Sequence, residues 1–205
     1  MANLYLDLAA HIKPFLGIGP LDITKDTALN LINKVCCARL DTILRVTTLA
    51  KHVVTGEIVE GGKSKIVTKD FPIISIEAIT QGSLATPYTQ TASYIFRKNV
   101  IYLDGYLGGG IGNTYYEDCK INYTAGYVTF AQNAAGTYVG QPITFPDDLQ
   151  LALLMMVGSI FNQKQNQGIE SYNLHRTQVV FRDKQESDQF QAIINGYKKS
   201  FIHGI

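Results

Sequence analysis

From Leu149 to Phe161 nearly every position is apolar, in the run L-Q-L-A-L-L-M-M-V-G-S-I-F. Pro146, just ahead of it, is a favoured first-turn residue. Asp147 and Asp148 place negative charge at the positive end of a helix dipole. The segment reads as a helix from Pro146 to about Gln165, stopped before Gly168. A helix in water that is apolar on nearly every side must be covered on nearly every side. Either it is the central helix of its own core, or part of its surface meets a neighbouring subunit. The run falls short of the roughly 20 residues that a bilayer crossing takes.

The stretch before it has the opposite period. Tyr115, Cys119, Ile121 and Tyr123 alternate with Tyr116, Asp118, Lys120 and Asn122, the pattern of a half-buried strand. It ends in Tyr123-Thr124-Ala125-Gly126-Tyr127, where Gly126 lets the chain turn sharply. Val128 to Gln141 carries Ala134, Ala135, Gly136 and Gly140 and reads as a loop or insert.

Strand patterns extend back to Lys51. Val53–Val59 and Lys65–Lys69 flank Glu60-Gly61-Gly62-Lys63, which predicts a hairpin. With few large apolar residues, that hairpin is expected to project from the body. Phe71–Ile79 follows, Pro72 favouring an edge position. Ser93–Arg97 and Val100–Asp104 flank Lys98-Asn99, a second hairpin. Thr177–Phe181 is a further short strand candidate.

Helices bracket this region. Leu4, Leu8, Ile12 and Phe15 recur at helical spacing and stop at Pro14 and Gly17. A longer helix is predicted from Thr24, as N-cap, to about Val46, with Ala28, Ile32, Val35, Cys36, Leu40 and Ile43 near one face. Lys34, Arg39, Asp41 and Arg45 lie mostly off that face. The last helix, Asp183–Ile202, carries Phe190, Ile193, Ile194, Tyr197 and Phe201 on one stripe, with acids early and bases late. That stripe can pack at home or dock on a partner. The expected fold class is α+β: a bundle of three to four helices with inserted antiparallel β-hairpins or a small sheet.

Composition adds few constraints. Charged residues are 17% of the chain, below the usual share of about 25%, which leaves more surface able to contact protein. The net charge of +1 makes no electrostatic case for gripping nucleic acid. The 12 tyrosines suit strands and interfaces alike. Cys36 and Cys37 are adjacent on a helix, and with Cys119 they show no disulfide or zinc spacing. The start M-A-N-L-Y-L-D-L carries no secretory pattern.

Motifs for chemistry are sparse. Leu107–Thr114 is Gly-rich, but a strand follows it and no Lys-Ser/Thr is present, so a flexible hairpin tip is expected. His11, His52, His175 and His203 are scattered. Ser171 and His175 lie close in sequence without a nucleophile elbow. Adjacent Asp147 and Asp148 diverge by about 100° on a helix and act as caps. Lys63, Lys65 and Lys69 form a modest positive cluster on the projecting hairpin, for solvation or for facing DNA in a channel. No cofactor, metal or catalytic residue is predicted.

The order of these motifs resembles the connector-adaptor family, the head–tail connector proteins of tailed bacteriophages. The resemblance rests on the Asp22–Val46 helix, Phe71-Pro72-Ile73-Ile74-Ser75-Ile76, the Tyr-Thr-Ala-Gly-Tyr strand end, Pro146-Asp147-Asp148-Leu149 with Ala152, and Gly168 and Ser171 in the loop that follows. It spans roughly Leu21 to Arg182. The Leu4–Phe15 helix, the Val128–Gln141 insert and the elaborated Val53–Lys69 hairpin depart from the pattern.

The resemblance implies a non-enzymatic virion protein, assembled in the host cytoplasm, within one adaptor domain over 1–205. Residues 1–21 would be an N-terminal extension, 51–144 a β-rich insertion, and 183–205 a C-terminal helix and tail. Its partners would be the portal protein, a neck, stopper or tail-completion protein, and itself, in a ring of about twelve copies through whose channel DNA passes without specific binding. No membrane is implied. Subunit-interface candidates are Leu151, Leu154, Met155 and Phe161. Portal-docking candidates are Phe190, Ile194, Tyr197 and Phe201. Gly61, Lys63, Lys65 and Gly109 mark hairpins that would touch neighbours or line the channel. The alternatives are another neck or tail-completion protein, or a small enzyme whose best site residues would be His175, Asp118 and Tyr123.

Overall fold

A computed structural model describes residues 4–59, 65–81, 87–88, 94–103, 119–166 and 184–202. The fold is α+β, as the two hydrophobic periods require. The chain divides into two compact units, residues 1–44 with 129–198, and residues 45–128 with 199–205.

The first unit is helical. A π-helical turn, Leu8–Ile12, runs into a short α1, Lys13–Phe15. The helix expected from Leu4 is shorter because Asp7 caps it: its carboxylate accepts the Ala9 and Ala10 N–H groups at 2.8 Å each. Leu4, Tyr5 and Leu6, ahead of the cap, are therefore not helical. Tyr5 and Leu6 enter the core, Leu4 and Leu8 are half-buried, and Phe15 remains exposed. The Tyr5 hydroxyl donates to the Asp41 carboxylate at 2.5 and 2.6 Å. The buried Lys13 ammonium pairs with Asp26 at 2.7 Å and donates to the Pro20 carbonyl at 3.3 Å. These partners offset the desolvation of that charge.

Helix α2 spans Asp26–Leu44. Thr24 is not its cap: its N–H and hydroxyl both donate to Asp22 in a turn before the helix. Arg45, at φ 59°, takes the left-handed conformation that ends the helix. The buried face holds Leu29, Ile32, Asn33, Cys36, Cys37, Leu40 and Leu44. Ala28 and Val35, expected on that face, are exposed, and Ile43 is half-buried. The face is rotated because Asn33 and Cys37 turn inward. Asn33 donates to the Leu6 carbonyl at 3.2 Å, and the Cys37 thiol donates to Asn33 at 3.4 Å.

The Val128–Gln141 segment, expected as a loop, contains the short helix α3, Phe130–Ala134. Thr129 and Gln132 cap it reciprocally: each backbone N–H donates to the other's side-chain oxygen at 3.3 Å. The Phe130 ring lies 4.0 Å from that of His11. Helix α4, Asp147–Asn166, matches its predicted span and packs against α2. Helix α5 is Lys184–Ile202.

The described residues of the second unit form two antiparallel sheets. Strands β1 (His52–Val59), β7 (Cys119–Ala125), β3 (Ile73–Gln81) and β4 (Pro87–Tyr88) form one, in the order β1-β7-β3-β4. Strands β2 (Lys65–Val67), β6 (Val100–Leu103) and β5 (Tyr94–Arg97) form the other, in the order β2-β6-β5. The hairpin expected between Val53–Val59 and Lys65–Lys69 does not form as a pair: β1 pairs with β7, and β2 with β6. Long-range pairing places Ile66 opposite Ile101 in the core, where a projecting arm would have left it in water. The β5–β6 hairpin has its turn at Lys98-Asn99, with Arg97 opposite Val100. Pro72 lies just before β3, which pairs with β7 along its length and with β4 only at Ile79 and Thr80. The core gathers Ile66, Ile73, Ile76, Ile79, Ile101, Ile121, Tyr123 and Ala125. The Gly-rich Leu107–Thr114 segment and the Thr177–Phe181 strand candidate lie outside the described residues.

After β7 the chain turns at Gly126, φ 94°. Its N–H donates to the Pro72 carbonyl at 3.0 Å, and a Cβ there would sit 2.4 Å from the Ala50 carbonyl oxygen. Glycine is required both for the left-handed φ and for this close backbone approach.

Candidate functional site

Helix α4 offers two faces. Leu149, Ala152, Leu153 and Val157 are fully buried, at the i, i+3, i+4, i+8 spacing of a core stripe. Leu151, Leu154 and Met155 lie on the other side and are half-buried. The helix is thus apolar all round, while only one side of it is fully buried among the described residues. Phe161 falls on the buried side, with the Lys25 ammonium 5.5 Å from its ring centre. The ring of Phe15, itself 46% exposed, lies over Gly158, where a Cβ would come within 3.1 Å of it.

On α5, Ile194 is buried and anchors the helix at home. Phe190 and Tyr197 are half-buried, and the Tyr197 hydroxyl donates to Asp148 at 2.7 Å. Asp188, Gln189, Gln191, Ala192, Asn195, Gly196 and Lys198 are exposed. The Phe201 side chain lies outside the described residues, as do Gly61, Lys63 and Gly109. Lys65 is half-buried on β2, its ammonium 5.7 Å from the ring centre of Tyr102, the residue opposite it. Lys65 is therefore part of a sheet rather than a free arm.

The β unit contains a buried polar network. The Tyr123 hydroxyl donates to Glu57 and accepts the Asp70 N–H at 3.2 Å. The other oxygen of Glu57 accepts the Lys69 N–H at 2.9 Å. Asp70 accepts the Thr47 N–H at 2.6 Å and the His52 Nε2 at 3.0 Å. His52 Nδ1 lies 2.8 Å from the Ala50 carbonyl oxygen. Both ring nitrogens thus face acceptors, and both contacts are hydrogen bonds only in the imidazolium form.

Burial opposes the charge on Asp70, but the hydrogen bonds from His52 and Thr47 outweigh it and hold the carboxyl below its usual range. Burial and the bond to Glu57 push the Tyr123 phenol well above its usual range. Tyr123 is therefore a committed donor, and the network ties β1 and β7 to residues 68–70. His175 and Asp118, named with Tyr123 as enzyme candidates, lie outside the described residues. Among the described residues no group of three or more His, Cys, Asp or Glu could hold a metal ion. None of the described helices is long and apolar enough to cross a membrane.

Sequence reasoning missed one surface. Ala28, Leu31, Val35, Ala38 and Thr42 form an exposed stripe on α2, with Leu31 58% and Val35 50% accessible. The alternating three- and four-residue spacing was legible. Assigning Ala28 and Val35 to the core face hid it.

No family model and no curated protein matches the sequence. Solved structures do match in fold. A chain in the neck of an empty gene transfer agent particle, computed with C6 symmetry, superposes with a TM-score of 0.53 at 14% identity, over 95% of this chain and 89% of that one. A chain in the virion of a native gene transfer agent particle gives 0.48 at 14% identity, over 96% and 94%. The protein shares its fold with a chain of a particle neck.

Proposed function

We propose that the protein is a structural component of a virion neck, a connector adaptor that forms a ring between the portal and the next neck or tail component. The fold likeness to a neck chain along nearly the whole length is the observation that carries this reading. The order of motifs from the Asp22–Val46 segment through Tyr-Thr-Ala-Gly-Tyr to Pro-Asp-Asp-Leu supports it independently. The C6 symmetry of the matched neck fits a ring built from repeated copies.

In this reading all of 1–205 acts as one adaptor, with the β-rich segment as its insertion. The protein assembles in the host cytoplasm, and DNA passes through the ring without specific contacts. The outer face of α4, with Leu151, Leu154 and Met155, meets the neighbouring subunit, while Phe161 supports that helix from the core side. Helix α5, anchored by Ile194, presents Phe190, Tyr197 and Phe201 toward the portal. The segments around Gly61, Lys63 and Gly109 reach neighbours or the channel.

Negative-stain electron microscopy of the protein mixed with portal oligomers from the same source tests the proposal. A new ring of density at one end of the portal is the expected result. Bare portals beside folded protein would overturn the adaptor role and favour a neck or tail-completion protein further from the portal.

A further inference from the structure

We propose that the exposed stripe of α2 is one half of a head-to-tail interface between copies of this chain, and that the outer face of α4 on the next copy is the other half. The proposal rests on the ring reading above and names the surfaces that would build the ring.

The stripe has the geometry of a helix seam. Ala28, Leu31, Val35, Ala38 and Thr42 follow one another at three and four residues, the spacing that keeps one edge of a helix against a partner helix. At about 100° per residue they lie on the far side of α2 from Leu29, Cys36 and Leu40. Alanine and threonine around the two larger residues permit close approach. Leu21 and Ile23, just before the helix, are 91% and 74% exposed. Aliphatic surface on this scale in one short segment marks a contact site.

The same unit carries a matching surface. Leu151, Leu154 and Met155 are half-buried on the side of α4 away from its core stripe, near Phe15 over Gly158. Helices α2 and α4 pack on each other, so their outer faces point away from one another. Two different patches on opposite sides of the helical unit are what a heterologous, ring-forming contact needs.

Charge selects the pairing. Within the span of the stripe α2 carries one acid, Asp41, which is half-buried and accepts the Tyr5 hydroxyl, while exposed Lys34 and Arg39 flank the stripe on either side. From Asp147 to Gln163, α4 has no basic residue, and exposed Asp147 and Asp148 precede Leu151. An α2–α2 pairing would set Lys34 and Arg39 against their own copies. An α2–α4 pairing sets them against carboxylates.

Sedimentation velocity on the full chain, read across a concentration series up to about 1 mM, tests the proposal. The expected result is reversible self-association, weakened about tenfold or more by Val35→Glu and by the double change Lys34→Glu with Arg39→Glu, the circular dichroism spectrum staying unchanged. Adding Asp147→Lys to the charge-reversed chain should restore association. A wild type that remains monomeric overturns the proposal, as does association that both α2 variants leave intact. If Val35→Glu abolishes portal decoration while self-association persists, the stripe belongs to another neck protein and the proposal falls. The adaptor reading fails separately, through bare portals.

Discussion

Replacing Gly126 with alanine should destabilise the β unit by about 3–4 kcal/mol, from two additive causes. The residue sits at φ 94°, where a side chain costs about 1–2 kcal/mol of strain. The new Cβ would lie 2.4 Å from the Ala50 oxygen and 2.7 Å from the Ala50 carbonyl carbon. An ordinary carbon–oxygen contact is about 3.3 Å, so the two backbone segments must part by roughly 0.9 Å.

That separation breaks what joins them. The Tyr127 N–H donates to the Leu49 carbonyl at 2.8 Å, and the Lys51 N–H to the Tyr127 carbonyl at 2.7 Å. Lengthened by roughly 0.9 Å, both pass out of hydrogen-bonding range. Each contributes about 1 kcal/mol net, and Leu49 and Ala50 are fully buried, so water cannot replace them without opening the structure.

Urea unfolding followed by circular dichroism is the assay. With a slope of about 2 kcal/mol per molar, the midpoint should fall by roughly 1.5–2 M. Gly56→Ala is the internal control. It lies in the same unit at φ 70° with nothing within 4 Å of its Cβ, so only strain remains, about 1 kcal/mol. Equal losses from the two substitutions would refute the claim that close backbone approach fixes Gly126.

Tyr123→Phe should cost about 1–3 kcal/mol, because it strips a partner from the buried Asp70 N–H and from Glu57; an unchanged urea midpoint would contradict the network. The stability contributed by Asp70 should be complete above its ordinary value of 3.8 and be lost as pH falls through its depressed folded value. Asp70→Asn should therefore be less stable than wild type at pH 7 (about), with the gap closing in acid; a gap that persists in acid would count against it. Burial pushes the Cys36 and Cys37 thiols up to about 11 and about 12, so neither should react with iodoacetamide in the folded chain at neutral pH. Both should react in urea, and mass spectrometry of labelled peptides distinguishes the cases. Phe190→Glu on α5 should block portal decoration with the circular dichroism spectrum unchanged; decoration equal to wild type would remove α5 as the docking helix.

Local signals in the sequence determined the elements whose stop and start codes lie beside them. The Pro-Asp-Asp entry to α4, the Lys98-Asn99 hairpin and the turn at Gly126 are all encoded within a few residues, because dipole, turn and φ constraints act at that range. The Thr129 and Gln132 capping box was equally local and was passed over beneath the small residues that follow it.

Tertiary structure alone decided which strands pair and which helix faces are buried. Glu60-Gly61-Gly62-Lys63 has the composition of a hairpin, yet β1 and β2 go to different sheets, and Ile66 is buried opposite Ile101. On α2 the apolar residues fit two faces. Asn33 and Cys37 fixed the choice by finding hydrogen-bond partners inside, at Leu6 and at each other, and this left Leu31 and Val35 in water. Apolar periodicity shows that a face will be covered. What covers it depends on contacts distant in sequence, whether from the same chain or, as proposed here for α2, from the next copy.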